Sequence, residues 1–187
     1  MEDKLKRYLD EVKGHMDKSI LHLEEELVKV RAGKATPAML HGITVDYYGT
    51  QSPINQVANV NTQDARTMVI QPWEKSMLHV IEKAILAANI GVTPQNDGEL
   101  IRLVIPPLTE ERRASLVKGV KSLGEQAKVS LRNIRRDAIE HIKKMQKDGL
   151  SEDSAKDAEH EVQTITDTYT KTVDKHLEAK EKDIMTV

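Results

Sequence analysis

Three long runs of this chain carry an apolar residue at nearly every third or fourth position, a spacing that predicts three long amphipathic helices. The apolar stripes run from Leu5 to Val30, from Leu116 to Met145 and from Ala155 to Ile184. Such helices are marginal alone in water, so the three stripes must be buried against one another. The short connection at Asp148–Ser151 makes the second and third helices antiparallel neighbours. The sequence therefore predicts an antiparallel three-helix bundle built from residues 1–30 and 106–187.

Residues 31–105 show a different pattern, with short β-branched runs bounded by turn residues. Strand-like segments occur at Ile43–Tyr47, Val57–Val60, Thr67–Ile70 and Leu100–Ile105, with helical spacing between Trp73 and Asn89 and a hairpin turn at Gln95–Gly98. We expect a small β/α/β domain inserted between the first and second long helices, which gives the whole chain an α+β fold. Since a helix of ~40 residues is ~60 Å long, the expected shape is elongated, with two hinged domains.

The chain passes between these two domains twice, near residues 31–37 and again after the last predicted strand. Gly33 breaks the helical period of the first crossing. Pro106 and Pro107 end the strand at the second crossing, because proline donates no hydrogen bond to a sheet ladder. Two crossings that lie close together form a natural hinge. Its candidate residues are Arg31, Gly33, Pro106 and Pro107.

Several classes of enzyme and site are excluded or disfavoured by the sequence. The chain has no cysteine, which excludes disulfides, thiolate metal sites and thiol nucleophiles. His160-Glu161 begins like a zinc-protease motif but lacks the second histidine, and Gly119 and Gly124 have phosphate-loop spacing with Glu125 in place of the lysine. We therefore expect no enzyme, cofactor or metal. His15 and His22 are expected on a solvated helix surface.

The aromatic residues are few and are expected to have structural roles. There is no Phe, and Trp and Tyr together number five. Tyr47 and Tyr48 are expected to point to opposite faces of a strand, one inward and one outward. Trp73 is expected to pack into the small domain. So few aromatics also argue against nucleic-acid modules that recognise bases by stacking.

The charge of the chain is unevenly distributed along its length. The net charge is −2, but residues 106–147 carry 11 basic and 5 acidic side chains, and residues 148–187 carry 5 basic and 11 acidic ones. At about 100° per residue, seven cations of the second long helix share a sector of roughly 100° away from the apolar stripe. They are Lys118, Lys121, Lys128, Arg132, Arg135, Arg136 and Lys143. Like charges stacked in this way repel one another, so a purely structural helix would favour mixed signs.

The favoured interpretation is a surface that follows the phosphate backbone of a structured RNA or DNA. Arg132, Arg135 and Arg136 matter most, because guanidinium groups bind phosphate oxygens in a bidentate manner. An alternative is that the acidic third helix neutralises the stripe, with Lys118 and Arg136 reaching it. Two further hypotheses are a protein-binding adaptor that uses residues 148–187 and, more weakly, a hydrolase that uses carboxylates of the small domain.

Four stretches of the chain resemble the bacterial ribosome recycling factors. They are Val30–Pro37, Val45–Thr50, Pro106–Arg113 and Val129–Ala138, and the similarity extends over essentially all 187 residues in the order and spacing of that family. The resemblance implies a non-enzymatic factor with a three-helix bundle and an inserted β/α/β domain. One departure is Lys34, where many members have arginine. This lysine keeps the charge but not the bidentate geometry.

The resemblance also implies partners and a function. Members bind the rRNA of the large ribosomal subunit after termination and, with elongation factor G and GTP, split the ribosome into subunits. The rRNA-contacting arginines of the family match Arg113, Arg132 and Arg135. With the cationic stripe, the candidate rRNA-binding residues are Arg113, Lys121, Lys128, Arg132, Arg135 and Arg136. We expect a cytoplasmic monomer with no membrane contact, since the longest apolar stretch is far short of the ~20 residues that span a bilayer.

Overall fold

The computed structural model describes residues 2–186, which form two compact units. The helices are α1 (Glu2–Lys29), α2 (Leu78–Ala88), α3 (Glu110–Lys147) and α4 (Glu152–Met185). The strands are β1 (Thr44–Tyr47), β2 (Thr50–Pro53), β3 (Ala58–Thr62), β4 (Thr67–Pro72), β5 (Pro94–Asn96) and β6 (Ile101–Val104). One unit spans Met1–Ala32 with Glu110–Val187, and the other spans Gly33–Thr109. The predicted α+β class, with a helical bundle and an inserted β/α/β segment, is confirmed.

The bundle unit buries one apolar stripe from each of the helices α1, α3 and α4. These stripes form a single core, in which Met16, Leu131, Ile142 and Val162 are completely buried. Burial of a Leu, Ile or Met side chain stabilises the fold by about 1.5–3 kcal/mol. The helical periodicity that predicted the stripes is therefore confirmed, since its positions are either buried in this core or partly buried against it.

Contacts between the helices define their relative directions. Tyr8 stacks on His141, and the Ser19 hydroxyl bonds to that of Ser130 at 2.9 Å. Residue numbers therefore increase along α1 in the direction in which they decrease along α3. Lys13 pairs with Glu161 at 3.3 Å, and Glu24 pairs with His176 at 3.2 Å. Residue numbers therefore increase in the same direction along α1 and α4. Helix α1 is thus antiparallel to α3 and parallel to α4.

The turn between α3 and α4 uses a glycine stop and a serine cap, as predicted. Gly149 has φ +111°, a left-handed conformation that favours glycine. The Leu150 amide donates to the Met145 carbonyl at 2.9 Å, which satisfies one of the free carbonyls at the end of α3. The Ser151 hydroxyl accepts a hydrogen bond from the Ser154 amide at 3.2 Å and so caps α4. The tight turn makes the two helices antiparallel.

A tyrosine on α4 is expected to make the stability of the bundle sensitive to alkaline pH. The Tyr169 hydroxyl donates to Asp17 of α1, and burial followed by this hydrogen bond raises the pKa of Tyr169 to about 12. The folded state therefore keeps a proton that the unfolded chain loses near pH ~10. This contribution to stability is complete below pH ~10 and is lost as the pH rises towards 12.

Urea unfolding of the wild type and of Tyr169→Phe at pH 9 and pH 11 measures this effect. We expect the free energy of unfolding to fall more steeply with pH in the wild type, because phenylalanine has no proton to lose. Equal falls in the two proteins would contradict the assignment.

The second unit contains two antiparallel sheets and one helix. Strands β1 and β2 form a hairpin, while the other four pair in the order β3-β4-β6-β5. Helix α2 contributes the completely buried Ile81 and Ile85, which share a core with Ile70 and Leu103 of the larger sheet. The predicted hairpin is confirmed by the antiparallel pairing of β5 with β6, but its turn begins later than Gln95–Gly98, because Gln95 and Asn96 pair within the sheet and the Asp97 amide donates to the Leu100 carbonyl. Among the described residues, no helix is long and apolar enough to cross a membrane.

Candidate nucleic-acid interface

Helix α3 presents a row of exposed cations that we call the cationic face. Successive residues of an α-helix are about 100° apart around its axis, and this spacing places the cations on a different side of α3 from the apolar core stripe. The cationic face consists of Lys118, Lys121, Arg132, Arg136 and Lys143, all of which are exposed. A row of exposed Lys and Arg side chains on one rigid helix provides the electrostatic footprint of a phosphate-binding surface.

Two of the predicted cations lie instead at the seam between α3 and α4. Lys128 forms a salt bridge with Asp174 at 2.6 Å. Arg135 is half-buried, and its Nη1 donates to the Gln163 side chain at 3.1 Å. These are the cations on the side of the sector nearest to the apolar stripe, so they meet the neighbouring helix first. The prediction that all seven stand clear of the core therefore needs this correction.

The same contacts correct the predicted route of charge neutralisation. The acidic fourth helix was expected to be reached by Lys118 and Arg136. Lys118 is exposed, and Arg136 contacts Asp137 of its own helix at 3.7 Å. Lys128 is the cation that pairs with α4. Neutralisation by the acidic helix is therefore seen at one edge of the stripe and leaves the cationic face in solvent.

Arg132 is a guanidinium of the cationic face whose position is fixed by a contact within its own helix. Its Nη2 donates to Glu125, two turns earlier on α3, at 2.6 Å, while about half of its side chain (52 %) is exposed. The hydrogen bond from Arg132 lowers the pKa of Glu125 below its usual value. A guanidinium group has five N–H donors. The contact with Glu125 uses one side of this group and leaves other donors for a phosphate.

Arg113 lies at the first turn of α3 and connects the ends of two helices. Its Nη1 donates to the main-chain carbonyl of Met185, the last residue of α4, at 3.2 Å. This carbonyl is one of the four that an α-helix leaves without an internal partner at its end. Arg113 is half-buried, so it has a structural contact in addition to any role at an interface.

The predicted hinge residues lie at the ends of the inserted segment. Arg31 follows α1 and is exposed, as are Pro106 and Pro107 after β6. Gly33 opens the second unit with φ +73°, and a Cβ placed on it would lie 2.7 Å from Cγ of Leu108, near the other end of that unit. Within this unit, therefore, the incoming and outgoing chains pass side by side.

A shared turn also holds the two chain ends of the second unit together. The Ala35 amide donates to the Ala65 carbonyl, and the Ile105 amide donates to the Arg66 carbonyl, both at 2.8 Å. Adjacent residues of one turn thus bind the incoming and the outgoing chain. The predicted hinge residues Gly33 and Pro106 therefore lie next to main-chain contacts, at Ala35 and Ile105, that are anchored on this turn.

The aromatic residues of the second unit differ from expectation. Trp73 was expected to pack into the small domain but is 64 % exposed, whereas Pro72 before it and Met77 after it are buried. Tyr48 is 82 % exposed and Tyr47 half-buried, but the predicted opposite orientations on a strand are wrong. Tyr48 lies in the turn after β1 with φ +50°, and its ring meets that of Tyr47 with centroids 4.7 Å apart. Sequence reasoning missed Glu74, whose carboxylate accepts hydrogen bonds from both tyrosines. No local signal could have indicated it, since it lies 26 residues from Tyr48 along the chain.

Within residues 2–186, no three His, Asp or Glu side chains are grouped in a way that could hold a metal ion. The histidines His15 and His22 are exposed on α1, as expected. The fold and this geometry define a class of protein: a helical bundle with a row of exposed cations on one helix and a small mixed domain inserted in its chain.

Comparison with known proteins places the chain within that class. A family model described as "Ribosome recycling factor" matches residues 23–185. The chain is 52 % identical over 187 residues to the ribosome-recycling factor of Flavobacterium johnsoniae, covering 100 % of both chains. It is 54 % identical over 184 residues to that of Porphyromonas gingivalis, covering 98 % of this chain and 99 % of the relative.

Solved structures show the same relationship in three dimensions. A solution structure of the ribosome recycling factor matches with a TM-score of 0.78 and 37 % identity, over 98 % of each chain. A second match has a TM-score of 0.64 and 44 % identity, over 97 % of this chain and 99 % of that one. It is described as the Thermus thermophilus factor, with Escherichia coli elongation factor G, bound to the Escherichia coli post-termination complex. The chain belongs to the ribosome recycling factor family, whose members are non-enzymatic translation factors.

Proposed function

We propose that this protein binds the rRNA of the large ribosomal subunit after termination and, with elongation factor G and GTP, splits the ribosome into subunits. The observation that most strongly supports this proposal is the cationic face, where exposed guanidinium and ammonium groups lie along one side of α3. The structure of a relative bound to a post-termination complex with elongation factor G supports the choice of partners. In this proposal the protein acts in the cytoplasm as a monomer.

The proposed contact is made mainly by Lys121, Arg132 and Arg136, which are all exposed. Lys128 and Arg135 lie at the edge of the cationic face, where their charges add to the field but their side chains also contact α4. Without stacking aromatics on this helix, recognition would depend on the shape and phosphate positions of the RNA rather than on its bases. Arg113 completes the proposed set at the start of α3.

The inserted unit is proposed to move relative to the bundle during splitting. Arg31, Gly33, Pro106 and Pro107 are the proposed hinge. The Ala35 and Ile105 amides, which both donate to the turn at residues 65–66, would keep the two crossings together during the movement. In this proposal the bundle anchors the factor on the RNA, and the insertion transmits the action of the GTPase.

The proposal is tested by neutralising two arginines of the cationic face. Arg132→Gln with Arg136→Gln is preferred to a change at Arg135, because Arg135 contacts α4 and its loss would disturb the bundle. We expect large-subunit binding to weaken about tenfold or more, and the slope of log K against log salt to fall by about one unit per lost phosphate contact. Co-sedimentation with large subunits over a range of salt concentrations measures both quantities.

A second double variant provides the matched control. Lys144→Gln with Lys156→Gln changes the net charge by the same amount, and both lysines are exposed and paired only with carboxylates one turn away on their own helices. Lys144 lies about 140° around α3 from Lys121, outside the cationic face. This control is expected to bind like the wild type, with helicity unchanged in both variants. Equal affinities and salt slopes in the two double variants would overturn the assignment of this surface.

A further inference from the structure

The hairpin of the second unit carries an exposed tyrosine where its backbone geometry favours a different residue. Strands β1 and β2 pair through Tyr47 and Thr50, which leaves Tyr48 and Gly49 as a two-residue turn. Their φ angles are +50° and +83°. A turn with two positive φ angles strongly prefers Asn-Gly or Asp-Gly, because a larger side chain is strained there. The sequence thus departs from the local rule at a solvent-exposed position.

The departure is not explained by anchoring of the hairpin alone. The Tyr47 hydroxyl donates to Glu74 Oε1 at 2.9 Å and already fastens the end of β1 to the chain after β4. The Tyr48 hydroxyl donates to Oε2 of the same carboxylate at 2.8 Å, while the residue stays 82 % exposed. The two rings meet edge to face with centroids 4.7 Å apart. Tyr48 thus departs from the local preference although the end of β1 is already fastened through Tyr47, and such departures are expected mainly at functional sites.

The charges around the two tyrosines indicate which kind of chemical group would bind there. Glu74 contributes a carboxylate that accepts from both tyrosine hydroxyls, and Asp46 of β1 contributes another, which accepts from the Gly49 amide at 2.8 Å. The next residue along the chain, Lys75, lies 3.7 Å from the carboxylate of Glu99. A carboxylate beside exposed aromatic faces repels a phosphate backbone but attracts an ammonium or guanidinium group, which also binds to ring faces.

We propose that Tyr47, Tyr48 and Glu74 form a docking site for an arginine or lysine side chain presented by a protein partner. Tyrosines held in place by hydrogen bonds lose little conformational entropy on binding, and tyrosine is enriched among residues that dominate the energy of protein interfaces. The site belongs to the second unit, whereas the cationic face belongs to the bundle unit. The two units therefore present surfaces of opposite character, one for RNA and one for a basic protein surface.

The inference rests on the proposed function in one respect: the protein partner to be tested is elongation factor G. The main variant is Tyr48→Asn, because asparagine is favoured at this turn position and the hairpin is therefore retained. Leu86→Gln is the control, since Leu86 is an exposed apolar residue on α2 of the same unit. Ribosomes, the factor and GTP are held constant while elongation factor G is titrated, and subunit separation is followed by light scattering.

For Tyr48→Asn we expect the concentration of elongation factor G at half-maximal splitting to rise about tenfold or more, as for the loss of an interface tyrosine. Co-sedimentation of this variant with large subunits alone is expected to match that of the wild type. Glu74→Lys is expected to raise the half-maximal concentration further than Glu74→Gln, because it replaces attraction by repulsion. The Leu86→Gln control should titrate like the wild type.

Three results would overturn the docking site. The first is an unchanged titration of elongation factor G for Tyr48→Asn. The second is a loss of co-sedimentation with large subunits as great as the loss in the titration, which would assign the site to the ribosome itself. The third is equal effects of Glu74→Lys and Glu74→Gln. Failure of the proposed function is recognised separately, because wild-type protein would then not bind large subunits or would be insensitive to the Arg132 and Arg136 substitutions.

Discussion

Replacing Gly124 by valine lowers the free energy of unfolding of the bundle by about 3 kcal/mol, the upper end of the usual cost of overpacking a core. Gly124 is buried on α3 where α4 crosses it. A Cβ at this position would lie 2.2 Å from Cδ1 and 2.9 Å from Cγ of Leu177. Because the Cγ of Leu177 is also too close, rotation of its terminal methyl groups does not relieve the overlap. Relief requires a different χ1 rotamer of Leu177 or separation of α3 from α4, and both disturb the packing of the bundle.

Gly119 provides the matched control on the same helix. It is exposed, and a Cβ added there would meet no atom within 4 Å. Valine at Gly119 is expected to change stability by less than about 0.5 kcal/mol, because valine is slightly better than glycine in a helix. Urea unfolding followed by circular dichroism at 222 nm compares the two variants. Equal stabilities would show that the α3–α4 contact tolerates a side chain at Gly124.

Replacing Gly33 by valine is expected to destabilise the second unit and to slow ribosome splitting. The φ angle of +73° is costly for any β-branched residue, at about 1–2 kcal/mol. The overlap with Leu108, at 2.7 Å from Cγ, adds an overpacking cost of about 1–3 kcal/mol. Hydrogen exchange of the amides of the second unit measures the loss of stability. If Gly33 acts in the proposed hinge, splitting slows more than large-subunit binding weakens.

The control for this prediction is Gly42→Val in the same unit. Gly42 has φ +81°, but a Cβ there would meet no atom within 4 Å, so the variant has the backbone strain without the overlap. The difference between the two variants isolates the contact with Leu108. Splitting slowed equally by both variants, or binding weakened as much as splitting at Gly33, would argue against a special role for this crossing.

The sequence predicted the bundle well because its helices follow a strict local rule. Apolar residues at three- and four-residue steps place the core positions on one side of each helix, and these positions are the buried ones. Gly149 and Ser151 similarly mark the turn between α3 and α4, since a left-handed residue and a side-chain cap depend only on nearby backbone.

Predictions that depended on packing between distant segments were less accurate. Trp73 was expected to pack into the small domain, but its side chain is 64 % exposed. The helical wheel of α3 grouped seven cations without the position of α4. The structure separates Lys128 and Arg135 from the others, because those two face the neighbouring helix.

Amino-acid order alone therefore determined the helices, the inserted segment, the charged stripe and the family resemblance, because each depends on periodicity or on motifs within one stretch of chain. Tertiary structure alone decided which cations remain in solvent, and it placed Leu177 against Gly124 and Leu108 against Gly33. It also brought Glu74 to the two tyrosines. These features arise from contacts between residues far apart in sequence, and no local pattern encodes the distance between them.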